Sequence, residues 1–215
     1  MILGIFCAGS LGKELYDIAE RINALKNCWE EIVFIDDVRE EKSFYNARVC
    51  HLDEFAENKN SVEIIIGNGT PRNRRRIYER VISDGYQLTN LIDPTAIISP
   101  TATLKKGIII TPYTSISSDV ILKDNVLIQS YVRVGHDIVV NEHTVLSCNV
   151  SIGGGTVIGA DTYIGESAAI RDDVTIGENT IVSMGATIYR SVGDSVVVMG
   201  NPGREIRKNL DGKIF

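Results

Sequence analysis

From Ile92 onward the chain repeats every six residues. An Ile, Leu or Val stands at 92, 98, 104, 110, 116, 122, 128, 134, 140, 146, 152, 158, 164, 170, 176, 182 and 188, seventeen positions without a slip. Four residues after each comes Ala, Thr, Val or Ile, from Ala96 to Val192. Five repeats place Gly directly after the aliphatic: Gly135, Gly153, Gly159, Gly165 and Gly177. A period of six fits neither a 3.6-residue helix nor a run of hairpins. It predicts a solenoid of short strands and tight corners, where the large aliphatic fills the interior and the small residue packs beside it. With three hexads to a triangular coil, seventeen hexads make between five and six coils.

The first ninety residues carry another pattern. Strand-like runs stand at Ile2–Cys7, Ile32–Ile35, Val62–Ile66 and, less cleanly, Leu88–Ile92. Between the first two, Leu15, Ile18, Ala19, Ile22 and Leu25 recur at helical spacing. Thr70-Pro71 marks the start of a second helix, a cap followed by proline at the first helical position, which buries Ile77, Val81 and Ile82. Alternating strand and helix reads as a small parallel α/β domain. The chain therefore divides into an α/β domain at 1–90, a repeat domain at 91–200 and a C-terminal loop or tail at 201–215.

Composition narrows the functions open to such a chain. Lys and Arg number 22 against 28 Asp and Glu, spread evenly over both halves, so there is no basic arm for nucleic acid or an anionic membrane. No apolar run approaches the ~20 residues of a membrane span, and Met1-Ile2-Leu3-Gly4-Ile5-Phe6 lacks the basic start of a secretory signal. Four scattered cysteines argue against a disulfide framework or a zinc knuckle, so a cytoplasmic, soluble protein is expected. Nine of the fourteen aromatic residues precede residue 92, which leaves the repeat domain a core of small and β-branched side chains.

Candidate chemistry falls in two places. The turn Cys7-Ala8-Gly9-Ser10-Leu11-Gly12-Lys13 links strand to helix, and such a turn offers free N–H groups and a helix dipole to a phosphate. Ile35-Asp36-Asp37 and Gly67-Asn68-Gly69 end the second and third strands at the same carboxyl edge, where open α/β sheets bind ligands. A tight structural turn and a solvated acidic loop are the plainer explanations. Arg72, Arg74, Arg75 and Arg76 lie in the second helix, read as a solvated basic face or, alternatively, a phosphate contact. The second place is His136, at the third place of its hexad and outward from the coil, so that packing does not require it. An imidazole beside a carboxylate suits proton removal from an attacking amine or hydroxyl near neutral pH.

Taken together, these pieces resemble one group of hexapeptide-repeat acyltransferases: the nucleotide-sugar N-acetyltransferases and sialic acid O-acetyltransferases, including the bacillosamine-pathway and perosamine N-acetyltransferases. The resemblance spans essentially the whole chain. It is carried by Ala8-Gly9-Ser10-Leu11-Gly12, Phe34-Ile35-Asp36-Asp37, Ile65-Ile66-Gly67-Asn68, Ile97-Ile98-Ser99-Pro100-Thr101-Ala102, Val134-Gly135-His136-Asp137 and Gly200-Asn201-Pro202-Gly203-Arg204. It implies a Rossmann-like N-terminal domain followed by a left-handed parallel β-helix, an exception to the usual right-handed crossover. It further implies a homotrimer with sites between neighbouring chains. Gly9, Ser10, Leu11, Asp36, Asp37 and Gly67 would carry the nucleotide, although members often have His or another polar group where this chain has Leu11. His136 would be the general base assisted by Asp137, and Gln129 would touch the sugar. Acetyl-CoA would lie near the main chain around Gly154, Glu166 and Met184, with the Pro202 loop nearer its adenine. Gly154 is a candidate N–H donor to the tetrahedral oxyanion. His143 falls on another face of the coil; it is either a surface histidine or a group reaching the acetyl-CoA site from an adjacent chain.

The resemblance implies an acetyl-CoA-dependent N-acetyltransferase acting on the 4-amino group of a nucleotide-linked 4-amino-4,6-dideoxy sugar in surface-polysaccharide synthesis. Transfer would be direct and without a metal; Cys148 has no obvious base beside it, which argues against a covalent step. O-acetylation of sialic acid or a related free sugar is the nearest rival. A β-helical zinc enzyme would need three clustered histidines where only His136 and His143 stand in the repeat domain. A non-catalytic scaffold leaves the outward Gly-His-Asp unexplained.

Overall fold

The computed structural model of the chain describes every residue except 211, 213 and 215. Its N-terminal part runs β1 (Ile2–Phe6), α1 (Ser10–Lys26), β2 (Glu31–Ile35), β3 (Ser43–Phe44), β4 (Ala47–Cys50), β5 (Val62–Ile66), α2 (Pro71–Ser83) and β6 (Gln87–Leu88). These strands form one sheet in the order β3-β4-β2-β1-β5-β6, parallel apart from the β3–β4 hairpin. Strand β5 is apolar on both faces because both are covered: Ile64, Ile65 and Ile66 are each 0% exposed. Helix α1 covers one face with Leu15, Ile18, Ala19 and Ile22, while α2 covers the other with Ile77 and Val81. Two expected core positions differ. Leu25, in the last turn of α1, and Ile82, near the end of α2, are exposed, and α2 instead buries Pro71 and Arg74.

The run Leu88–Ile92 is two strands, not one. β6 ends the α/β sheet at Leu88, and Leu91–Ile92 opens the solenoid. Counting that one, seventeen two-residue strands run in sequence, the last at Thr187–Ile188, each ending on a hexad aliphatic. Ile110 pairs in parallel with Ile128, eighteen residues on, so three hexads make one coil. The strands sort into three sheets, here the first, second and third faces, which begin at Leu91–Ile92, Ile97–Ile98 and Thr103–Leu104. Inside, one continuous cluster runs from Ile108 to Val198, and most of its members are wholly buried. The corners bend through a left-handed residue at the fourth place of the hexad, commonly Asn or Asp, as at Asn125 (φ 58°) and Asp137 (φ 55°). The stretch 201–215, expected as loop or tail, contains a strand: Arg204–Lys208 pairs antiparallel with Val196–Met199 and extends the first face.

The two parts share a core. The outward residues of the first face, Leu91, Ile109, Leu127 and Val145, are buried in the same cluster as Leu15, Ile18 and Ile22 of α1. Arg21 of α1 adds an ion pair to the buried Asp93, 2.5 Å from Nη2. No helix among the described residues is long and apolar enough to cross a membrane.

Candidate active site

Because coils stack at eighteen-residue intervals, each site residue can be assigned to a corner of the triangle. His136, Gly154 and Asp172 form one column where the second face turns into the third. His136 Nδ1 lies 2.7 Å from Asp137 Oδ2, and both side chains are about two-thirds exposed, 67% and 64%. The carboxylate only accepts, so Nδ1 carries the hydrogen, and in the neutral imidazole Nε2 then holds the lone pair, directed away from Asp137. The ring rests on Gly154: a Cβ there would come within 2.6 Å of His136 Cε1 and 2.7 Å of Nε2. Glycine is therefore required at 154 for this imidazole position. Its N–H, expected as an oxyanion donor, donates instead to Asp172 Oδ1 at 2.7 Å. What Gly154 contributes here is room for the imidazole.

Gln129, Cys148, Glu166 and Met184 gather at a different corner, where the first face turns into the second. Gln129 Oε1 accepts from the Ser147 hydroxyl at 2.8 Å, which fixes the amide. Burial raises the Cys148 thiol pKa, as do the carboxylates of Glu166 and Glu14, so its thiolate is disfavoured as a nucleophile. Glu166 and Met184 stack one coil apart, both exposed. Pro202 follows a cis peptide and lines a groove of about 410 Å³ with Ile188, Tyr189 and Arg204. Within one chain, then, the expected acetyl-CoA contacts Glu166 and Met184 and the His136–Gly154 pair occupy opposite edges of the second face.

His143 lies at the third corner, and neither expectation for it holds. It is 7% exposed, edge-on to Tyr78 of α2 at 4.9 Å, with Nδ1 3.0 Å from Asn125 Nδ2. Arg74 donates to Asn125 Oδ1 at 2.6 Å, which turns the amide nitrogen toward the imidazole and requires Nδ1 to accept. Burial, reinforced by Arg75 and Arg74, pulls the His143 pKa down to about 4. His143 is thus a neutral junction residue facing its own chain's α2, and it shares no corner with His136 for a metal.

Arg74 departs from both readings of the basic helix, while Arg72, Arg75 and Arg76 are exposed as a solvated face requires. It is wholly buried and gives its hydrogens to the carbonyls of Ile66 (2.7 Å), Asn68 (3.0 Å) and Asn125 (2.8 Å). Its neighbour Arg75 pairs with Asp161, whose other oxygen is buried without a partner among the described residues. Burial raises the Asp161 pKa to about 6 despite that cation.

At the carboxyl edge of the N-terminal sheet lies an open cleft of about 930 Å³, lined by Cys7, Ala8, Gly9, Asp36, Arg39 and Asn68, among others. Here the strand order reverses around β1, the place where such folds bind ligands. Gly9 caps α1 with no side-chain bond, and a Cβ at Gly9 would meet nothing within 4 Å. Asp36 lines the cleft, but its carboxylate accepts from the N–H groups of Ala8, Val38 and Arg39, at 3.0, 3.1 and 3.1 Å. The other expected nucleotide residues stand elsewhere. Asp37 turns to the Leu52 N–H and Arg80, Gly67 is buried against β1 and α1, and Ser10 and Leu11 are outside the cleft lining. Sequence reasoning missed Arg39 as a lining residue, since nothing in its spacing shows that its loop folds back over the first turn.

Comparison with known proteins bears on the fold that carries this geometry. Residues 2–81 match the PglD N-terminal domain, and residues 155–190 match the bacterial transferase hexapeptide (six repeats). The acetyltransferase domain of PglB from Neisseria gonorrhoeae is similar over 95% of this chain and 99% of its own, at 29% identity and a TM-score of 0.88. By domain content and fold, the chain is similar to the hexapeptide-repeat acetyltransferases. The same PglB domain in complex with acetyl coenzyme A gives 28% identity and a TM-score of 0.89, over 95% and 98% of the two chains. PerB from Caulobacter crescentus, in complex with CoA and GDP-perosamine, shares the fold at 22% identity, a TM-score of 0.86 and coverage of 96% and 97%. The chain reproduces the expected Rossmann-like domain and left-handed β-helix.

Proposed function

We propose that the protein transfers the acetyl group of acetyl-CoA to the 4-amino group of a nucleotide-linked 4-amino-4,6-dideoxy sugar. The observation that carries this reading is the outward His136–Asp137 pair seated on Gly154. His136 Nε2 takes the proton from the amine as nitrogen attacks the thioester carbonyl; the C–S bond breaks and the CoA sulfur leaves with a proton. No acyl-enzyme forms. Asp137 holds the imidazole tautomer and stabilises the charge it gains. The open switch-point cleft supports a nucleotide-bearing substrate, as do the acetyl coenzyme A complex of the PglB domain and the GDP-perosamine complex of PerB.

In our reading the working unit is a homotrimer. The His136 corner of one chain faces the Gln129, Glu166 and Met184 corner of its neighbour, which unites groups that a single chain keeps apart. We place the reaction in the cytoplasm, in surface-polysaccharide synthesis. Incubation with acetyl-CoA and a panel of UDP-, dTDP- and GDP-linked 4-amino sugars, read by mass spectrometry and NMR, tests the assignment. An amide at C4 is the expected product. An ester on a free sialic acid, with no reaction on nucleotide sugars, would replace this reading by O-acetylation.

A further inference from the structure

Among the described residues lining the carboxyl-edge cleft, Asp36, Glu40 and Glu41 are acids and Arg39 is the one base. A nucleoside diphosphate brings further negative charge, and three carboxylates around an anion repel it unless a cation is placed among them. Arg39 occupies the position from which it can do this. Its backbone N–H is held by Asp36 Oδ1, and its guanidinium lies 4.5 Å from the centroid of Phe44, on the β3–β4 hairpin. From that platform Nη2 reaches the Ala8 carbonyl of the first turn at 3.3 Å, beside the uncapped start of α1. Its two polar contacts are long ones: 3.3 Å to Ala8 and 3.6 Å from Nη1 to Glu41. Both can be exchanged for phosphate oxygens at little cost, while Phe44 keeps the guanidinium plane in place. Asp36 has three of its acceptor positions engaged by backbone, so it acts as the strut that orients Arg39.

We propose that Arg39 is the diphosphate-binding residue of this cleft, positioned by Asp36 and Phe44, and that it decides whether a nucleotide-linked substrate is held. The proposal rests on the nucleotide-sugar reading above. Titration calorimetry on the full chain with UDP, dTDP and GDP first identifies the tightest diphosphate, which is then titrated into Arg39→Gln, Arg39→Lys and Glu41→Gln. Loss of a charge-assisted hydrogen bond predicts that Arg39→Gln binds about tenfold more weakly or worse. Arg39→Lys, which keeps the charge without the fork, should lose roughly threefold. Glu41→Gln removes a repelling carboxylate and should tighten binding roughly twofold. Acetyl-CoA affinity, measured on the same samples, should stay at the wild-type value in all three. An Arg39→Gln protein that binds the diphosphate within twofold of wild type would overturn the proposal. A wild-type protein that binds none of the three nucleotides would overturn the nucleotide reading itself.

Discussion

At the scale of single residues, the catalytic claim depends on which atoms touch. Gly154 lies under the His136 ring so closely that any side chain would displace it. Gly154→Ala should therefore lower turnover roughly 100-fold, since misplacement of a catalytic group by about 1 Å costs that much. Its melting temperature should stay close to wild type, because the group a methyl would push aside is the His136 ring, which is 67% exposed. Unchanged turnover in this variant would show that the imidazole works from another position. His136 was legible in the sequence because an outward histidine followed by Asp answers to no packing need. Asp37 was not: its direction is decided by Arg80 and the Leu52 N–H, which approach it from distant parts of the chain. Asp36 was half legible, placed correctly at the cleft but engaged by backbone rather than free for ligand.

At the scale of elements, the hexad alone predicted the two-residue strands of the solenoid from Leu91 to Ile188, yet a longer period was also present. The residue before the hexad aliphatic is apolar on the first face in coil after coil: Leu91, Ile109, Leu127, Val145 and Ile181, with Tyr163 the one aromatic. On the second face, Ser115, Arg133 and Ser151 take the same place. An apolar outward stripe at eighteen-residue spacing marks the face that α1 covers, a signal visible only once three hexads are counted as one coil. The corner residues Asn125, His143 and Asp161 follow the same spacing and meet α2. Two of them carry opposite pH signatures. Asp161 holds its proton up to about 6 in the folded state, against 3.8 in the free group, so the unfolded chain binds fewer protons in that window and stability falls as pH rises through it. His143 is depressed from 6.5 to about 4, so the unfolded chain binds more protons there and stability rises with pH. Melting temperatures at pH 4 and pH 7 should separate the two. Relative to wild type, Asp161→Asn should gain on going to the higher pH, and His143→Gln should lose. Differences that stay constant across the range would contradict this account of the junction.

At the scale of the whole molecule, Arg74 joins the two parts, because one guanidinium bonds the end of β5 and a corner of the β-helix together. From sequence it looked like a member of a basic helix face; burial of a cation with only carbonyl partners has no local signature. Arg74→Met keeps the bulk but leaves several buried acceptors unpaired, and should cost about 3 kcal/mol in denaturant unfolding. A variant as stable as wild type would mean the junction is held by the apolar stripe alone. The same view of the molecule sets the central question, since His136 and Gly154 lie on one corner while Glu166 and Met184, also expected to hold acetyl-CoA, lie on another. Turnover by His136→Ala, with acetyl-CoA and a nucleotide-linked 4-amino sugar, tests the catalytic claim most directly. Removal of a general base should reduce it by at least about 100-fold while the protein stays folded. A His136→Ala enzyme that turns over near the wild-type rate would contradict the account.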